Sequence, residues 1–331
     1  MLSVHLLGGE IQVNISPYYD SNIRESFQLP ESTYGLKLSG RLTREWISFQ
    51  SSTAGTLIGQ NYLDVIFPKE SKLIIKGELN HNRKLYRRIN FLGQGSYFRK
   101  NFFNSGYYYS WWETGLFLQL PKRSFIWSSG YRHRSTSISS AEKNRFRREA
   151  VEIRGQYYLK AKLYLVGSAG AIFIAHEDFK AREVLNDTLL TVLQIAQRDR
   201  GYYGSLHLRY QGNFIYGAQA SVETVSSNSV IGNYHFLSLR LYLTGRWGQK
   251  TFYHLVLQQM DKSYRNSNLK DVIQYRDPEE LMQNRSYARI EYNLEDNLLG
   301  YVQVSFLKNE TLLNQTYYSK TLLEAGFKFN L

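Results

Sequence analysis

LSLRLYLTGR, residues 237–246, carries the clearest structural signal in this chain. Leucine occupies every second position from Leu237 to Leu243, and the positions between hold Ser238, Arg240 and Tyr242. Successive side chains of a β-strand point to opposite faces of the sheet. The stretch therefore predicts a strand with one apolar and one polar face. A tilted strand crosses a bilayer in about 9 to 11 residues, so the length also suits a membrane-spanning strand.

The same alternation continues on both sides of this stretch. It recurs in SLHLRYQ, YGAQASVE, YHLVLQ, YARIEYNL, YVQVSF and LLEAGFKF. Tight turns at 211–213, 247–249 and 295–297 alternate with longer polar connections at 226–233, 263–284 and 308–317. Short turns at one end and long loops at the other are typical of an up-and-down barrel of the outer-membrane kind. A soluble sandwich would instead use Greek-key crossovers.

Weaker segments upstream extend this pattern. They are GEIQVNIS, YGLKLSGRL, WISFQSS, KLIIKGEL, RRINFLGQGSYF, YYYSWWETGLFLQLP, SFIWSSGYRHR, AVEIRGQYYL and YLVGSAGAIFIA. The fold class predicted is all-β: a transmembrane, antiparallel up-and-down barrel of about 16 strands, with short periplasmic turns and long extracellular loops. The alternative is 14 strands, since WISFQSS and RRINFLGQGSYF alternate least clearly. Residues 176–201 favour two strands projecting beyond the membrane over a helix.

The domain organisation predicted is simple. Residues 1–8 are expected to be an N-terminal periplasmic segment, and residues 9–331 a single barrel domain. The start, MLSVHLLGGEIQ, has no basic region and too short an apolar run for a complete signal peptide. An export signal is therefore expected to lie upstream of these residues or to have been removed.

Composition agrees with a barrel. Aromatic residues make up 15% of the chain, led by 27 Tyr and 18 Phe. These residues favour strands, and Tyr suits positions between water and an apolar phase. No apolar run approaches the roughly 20 residues that a spanning helix needs. The mean hydropathy of -0.42 is compatible with membrane insertion, because only every second residue of a spanning strand must be apolar.

The last eight residues, EAGFKFNL, resemble the C-terminal insertion signal of bacterial outer-membrane β-barrel proteins. The residues that carry the resemblance are Glu324, Gly326, Phe329 and Leu331; the family usually ends in Phe, so Leu331 is a departure. The resemblance implies a location in the outer membrane of a Gram-negative bacterium. It also implies two partners, the lipid and lipopolysaccharide of that membrane and a barrel assembly machinery.

A second stretch, YYDSNIRES at residues 18–26, resembles the barrel domains of surface lipoprotein assembly modifiers and polysaccharide-export porins. This resemblance implies a periplasmic partner protein. The alternative is that Asp20, Ser21 and Asn22 only end a strand with turn-forming side chains.

If the apolar set faces lipid, the polar set faces the lumen. The lumen-lining candidates are Arg132, Arg134, Arg154, Arg209, Arg240, Arg289, Glu113, Glu152, Glu223 and Glu291. One hypothesis is an electropositive lumen that favours anionic solutes, because arginines set selectivity in anion pores. The other is that these arginines pair with the glutamates and brace the barrel wall. Alternation along a strand gives the face on which a residue lies but not its position along the barrel axis, so both alternatives stay open.

Composition and spacing also exclude several functions. The net charge of +13 allows nucleic-acid binding, but this does not explain the continuous apolar face, and no nucleic-acid partner is expected. The absence of Cys excludes a disulfide scaffold, a Cys-ligated zinc site and thiol catalysis. The 7 His are scattered without metal-ligand spacing. No metal site, no cofactor and no catalytic residue is predicted, so the chain is not expected to be an enzyme.

The function predicted is a channel or pore with an Arg- and Glu-lined lumen. Transport would be passive or gated by the loops, and the solutes would be small, anions among them. The alternative is the barrel component of an export or assembly translocon for polysaccharide or lipoprotein, working with a periplasmic partner.

Overall fold

In a computed structural model, the chain forms a closed antiparallel β-barrel. The residues that the structure describes are 5–21, 31–48, 50–66, 71–86, 88–103, 108–139, 144–186, 189–230, 232–264, 284–309 and 318–331. They contain 16 strands: β1 (His5–Asp20), β2 (Thr33–Ile47), β3 (Ser51–Asp64), β4 (Lys72–Tyr86), β5 (Ile89–Phe102), β6 (Tyr108–Pro121), β7 (Phe125–Ser139), β8 (Asn144–Lys160), β9 (Leu163–Asn186), β10 (Leu189–Gln211), β11 (Ile215–Ser227), β12 (Tyr234–Trp247), β13 (Thr251–Tyr264), β14 (Asn284–Glu295), β15 (Leu298–Asn309) and β16 (Tyr318–Asn330).

Each strand pairs with its neighbours in the chain, and β1 pairs with β16 to close the barrel. The closing register runs from Gln12 opposite Asn330 to Asp20 opposite Leu322. Closure leaves no sheet edge, so every strand has a partner on both sides. The predicted all-β barrel and the number of strands are confirmed for the described residues, and the alternative of 14 is wrong.

One predicted strand is misplaced. WISFQSS does not form one strand: Trp46 and Ile47 are the last residues of β2, β3 begins at Ser51, and Phe49 lies outside the described residues. Most of β3 escaped prediction because Gly55, Gly59 and Asn61 occupy three of its outward positions. Small and polar residues at those positions interrupt the apolar alternation on which the prediction depends.

The predicted turns and the projecting hairpin are present. Short connections such as 161–162 and 296–297 lie at the end of the barrel where β1 begins and β16 ends. In the 248–250 turn, Gly248 has φ of 67°, a left-handed conformation that favours glycine. At the opposite end, β9 and β10 extend to 24 and 23 residues. The prediction of two projecting strands is confirmed; residues 187–188, between them, lie outside the described residues.

The outer face carries an apolar band. Leu237, Leu239 and Leu241 are between 42% and 52% exposed on the outside of β12. On β8, the outward residues change from apolar Val151 and Ile153 to Glu149, Arg147 and Arg145 toward the projecting end. The band therefore ends where charge begins, as at the edge of a bilayer. Within the described ranges, no helix has the length and apolar character needed to cross a membrane.

Part of the inner face is packed rather than open. Phe98, Tyr109 and Ile138 are at most 5% exposed and pack with Ile74 on the inside of β4–β7. A second cluster joins Ala150, Ile172, Val225 and Tyr234 on β8, β9, β11 and β12. These clusters line the wall at the end of the barrel opposite the short turns.

Candidate lumen-lining site

Contacts between strands that are not neighbours identify the inner face. Lys37 on β2 reaches Glu324 on β16 past β1, and Arg148 on β8 reaches Glu223 on β11 past two strands. Side chains from separated strands can meet only on the concave side of a curved wall. Since residues two apart share a face, every predicted lumen-lining residue has the parity of the inner face.

The first luminal cluster is an Arg–Glu ladder on β6–β8. Glu113 accepts hydrogen bonds from Arg132 Nη1 at 3.2 Å and from Arg134 Nε at 2.7 Å. Arg132 Nη2 also lies 3.4 Å from Glu152 Oε2. Arg154 and Tyr203 donate further hydrogen bonds to Glu152, which is 3% exposed. Three guanidinium groups and one tyrosine hydroxyl thus share two carboxylates.

Aromatic rings support this ladder. The Arg154 guanidinium lies 4.5 Å from the centroid of the Phe117 ring, and the Arg134 guanidinium lies 4.8 Å from that of Trp111. A guanidinium over an aromatic face gains cation–π attraction and keeps its planar edge free for carboxylates. The ladder is therefore a braced and nearly neutral part of the wall.

Two further clusters also pair their charges. Arg148 binds Glu223 through two parallel hydrogen bonds of 3.1 and 2.6 Å, and Tyr234 donates a third at 2.6 Å. On β14, Arg289 Nη2 lies 2.6 Å from Glu291 Oε1, and its guanidinium lies 3.9 Å from the Tyr301 ring centroid. His254 Nε2 lies 3.6 Å from the same carboxylate group of Glu291.

Three arginines of the inner face differ from these. Among the described residues, no carboxylate forms an ion pair with Arg209, Arg240 or Arg285. They lie on β10, β12 and β14, and Gln219 and Gln258 are the cross-strand neighbours of Arg240. The wall from β10 to β14 therefore carries three arginines without an ion pair among the described residues. On the wall from β6 to β8, by contrast, the arginines are paired with glutamates.

Three residues of the terminal resemblance lie on β16, on both of its faces, and Leu331 follows the strand. Glu324 points inward to Lys37, and Gly326 lies so close to β1 that an added Cβ would stand 2.5 Å from Ser16 Cβ. Phe329 and Leu331 lie on the outer face and are 38% and 78% exposed. Tyr19 and Asp20 of the second resemblance end β1, while residues 22–26 lie outside the described residues.

Sequence reasoning missed several residues that the structure brings into these clusters. Lys37, Arg148, Tyr203 and Arg285 were not predicted, although Arg148 has the same parity as Glu152. Parity could have placed Arg148 on the inner face. Its pairing with a carboxylate three strands away could not be seen, because it depends on the curvature of the wall. Within the described residues, no group of three His, Asp or Glu side chains is placed to share a metal ion.

Comparisons with known proteins agree only at the level of overall shape. No protein-family model matches the chain, and no curated protein matches it. OmpTdeltaL8, the loop L8 deletion mutant of the OmpT outer membrane protein of Vibrio cholerae, is 10% identical, with a TM-score of 0.48 over 100% of this chain and 99% of that chain. An anion-selective porin from Comamonas acidovorans is 11% identical, with a TM-score of 0.47 over 100% of both chains.

A third similar structure is the toluene transporter TodX of Pseudomonas putida, 8% identical, with a TM-score of 0.40 over 98% of this chain and 89% of that chain. Values this low transfer neither a solute nor a residue role. The closed antiparallel barrel, its apolar exterior and its polar interior are themselves the architecture of a bacterial outer-membrane protein.

Proposed function

We propose that this barrel is an outer-membrane channel through which small solutes diffuse, with a preference for anions. The observation that carries the proposal is a set of three inner-face arginines, Arg209, Arg240 and Arg285, that form no ion pair with a carboxylate of the described residues. Charges that line a pore enclosed by a low-dielectric protein wall act more strongly than charges in bulk water and are less screened by salt. Unpaired arginines there attract anions and repel cations.

The paired arginines have a different part in this proposal. Arg132, Arg134 and Arg154 share Glu113 and Glu152, so their charges largely cancel. Removing one partner of such a pair is costly, because it leaves the other charge in the wall without compensation. Their proposed role is to hold β6, β7 and β8 together, which combines the two alternatives left open by the sequence.

We also propose that residues 324–331 act as the insertion signal for a barrel assembly machinery in the outer membrane. The outward, exposed position of Phe329 supports this, because a signal must be accessible to a partner. Phe329→Ala should lower the amount of assembled barrel several-fold in cells. Phe306→Ala, at another outward and exposed phenylalanine, is the control and should have little effect. Equal losses in both would contradict the signal. A channel of this kind requires no cofactor and no catalytic group.

The channel is tested by conductance of the refolded protein in planar bilayers, with the reversal potential measured across a KCl gradient. Large, steady steps with chloride preference are expected. Arg240→Gln and Arg285→Gln should each move the reversal potential toward zero. Arg134→Gln makes the same change of charge but leaves Glu113 paired with Arg132, so its shift should be smaller.

Two results would overturn the proposal. Cation preference in the wild-type channel would contradict the role of the unpaired arginines. A folded, heat-modifiable barrel that inserts but stays silent would contradict the channel itself and favour an export barrel with a periplasmic partner.

A further inference from the structure

Four side chains on β10 and β12 form a compact polar group in the lumen, here called the Arg209–Arg240 site: His207, Arg209, Arg240 and Tyr242. They occupy two adjacent rungs of the sheet, because His207 aligns with Gln219 and Arg240, and Arg209 with Gly217 and Tyr242. Strand β11 lies between them. The site is therefore held by backbone pairing of three neighbouring strands and not by loops.

Gly217 on β11 allows side chains of β10 and β12 to meet across β11. A Cβ added at Gly217 would stand 2.5 Å from Tyr242 Oη and 2.6 Å from its Cζ, so the tyrosine ring lies over the glycine. A hydrogen bond of 2.9 Å joins Tyr242 Oη to His207 Nε2 on the far side of β11. With any larger residue at 217, the ring would have to move away from His207.

Both arginines share the two rungs of this His–Tyr pair, since Arg240 aligns with His207 through Gln219 and Arg209 aligns with Tyr242 through Gly217. Each lies close enough to act electrostatically on His207 and on Tyr242. The Arg209 guanidinium lies 5.8 Å from the centroid of the Tyr164 ring. Its Nε is buried and has no hydrogen-bond partner. A buried donor without an acceptor is costly. This donor belongs to a guanidinium group that has no carboxylate partner among the described residues.

The donors of the site outnumber its acceptors. Each arginine offers five N–H donors and no acceptor, and the Gln219 and Gln258 amides lie across from Arg240. A ligand that suits such a site is an anion with several oxygens that can accept more than one hydrogen bond. Chloride would satisfy the charge but offers a single acceptor atom, whereas an oxyanion offers several oxygens to the two planar guanidinium groups.

We propose that the Arg209–Arg240 site binds a small oxyanion of the phosphate or sulfate type during its passage through the lumen. The inference rests on the proposed channel in one respect, since the ligand reaches the site through an open lumen. It adds a saturable binding step to diffusion. Tyr242 and His207 are positioning residues that hold one wall of the site, and Arg209 and Arg240 contact the anion.

The test is equilibrium binding of inorganic phosphate to detergent-folded protein at constant ionic strength, by titration calorimetry. Saturable binding is expected in the wild type. Arg209→Gln and Arg240→Gln should each weaken it about tenfold or more, the loss of about one charged hydrogen-bonding partner. Arg209→Lys keeps the charge but removes the planar donor fork, so its phosphate affinity should lie between that of the wild type and that of Arg209→Gln. Tyr242→Phe should cause a smaller loss because the ring stays in place.

Arg134→Gln is the matched control, since it removes one luminal arginine from the Arg–Glu ladder. Its phosphate affinity should stay within about twofold of the wild type. An equal loss in Arg134→Gln and Arg240→Gln would show that general luminal charge, and not this site, binds phosphate. Absence of saturable binding in a folded, heat-modifiable wild type would also overturn the inference.

Conductance separates this inference from the proposed channel. Phosphate should reduce chloride current with a half-effect near its binding constant, and Arg240→Gln should abolish that reduction. Steady chloride current without any effect of phosphate would overturn the site but leave the channel. Phosphate binding by a barrel that conducts nothing would leave the site and overturn the channel.

Discussion

Lys37 on β2 and Glu324 on β16 meet inside the barrel, across the strand that lies between them. The Lys37 Nζ is 3.0 Å from one carboxylate oxygen of Glu324 and 2.9 Å from the other. Their side chains are 12% and 2% exposed. Because β1 and β16 are the two strands whose pairing closes the barrel, this ion pair ties the last strand to the second across the closure.

Breaking this pair should weaken closure. Lys37→Met leaves the Glu324 carboxylate buried without its cation, and removal of one partner of a buried pair typically costs about 3 kcal/mol or more. The midpoint of urea unfolding in detergent, followed by the heat-modifiable gel shift, should fall accordingly. The double variant Lys37→Met/Glu324→Leu removes both charges and should recover much of the loss. A double variant as unstable as the single one would show that the charges are not the cause.

Removing a luminal carboxylate should increase anion preference. Glu113→Gln leaves Arg134 without its carboxylate and removes one of the two carboxylate partners of Arg132, so positive charge increases on a wall where most charges were paired. The reversal potential in a KCl gradient should move further toward that of chloride. Glu149→Gln is the control, because Glu149 lies on the outer face near His133. The prediction fails if both variants move the reversal potential equally.

Two glycines should respond differently to alanine. A Cβ at Gly130 would stand 2.2 Å from the Leu116 carbonyl oxygen and 2.4 Å from Phe117 Cδ1. Phe117 is 1% exposed and cannot move freely, so Gly130→Ala should destabilise the barrel by about 2 kcal/mol through overpacking.

Gly59 is the matched comparison, since a Cβ there meets nothing within 4 Å. Gly59→Ala should change the free energy of unfolding by less than about 0.5 kcal/mol. Urea unfolding of both variants measures the difference. Equal destabilisation would mean that the strands tolerate no side chain at either position for a reason other than contact.

The two ends of the barrel should lie on opposite sides of the membrane. An epitope inserted between Asn186 and Leu189 lengthens the tip of the projecting hairpin without removing a strand residue. Antibody should label it on intact cells. The same epitope between Gln211 and Ile215, at a short turn, should be labelled only after permeabilisation. The reverse pattern would contradict the orientation with long connections outside.

The local character of the strands could be predicted well from the sequence. Leu237, Leu239 and Leu241 alternate with Ser238 and Arg240, and period two is a property of each strand alone. The sequence-based prediction found the strands that follow this alternation. Where small outward residues interrupt it, as at Gly55 and Gly59 in β3, the prediction missed the strand.

The sequence by itself determined the barrel class and the inner face for the arginines and glutamates that were named as luminal, because both depend only on alternation along the chain. The tertiary structure alone decided which charges meet. Arg132 and Arg134 share a carboxylate, whereas Arg209 and Arg240 have none among the described residues, although all four have the same inward parity. The reason is physical: register and wall curvature bring side chains of separate strands together, and neither quantity is encoded in one strand.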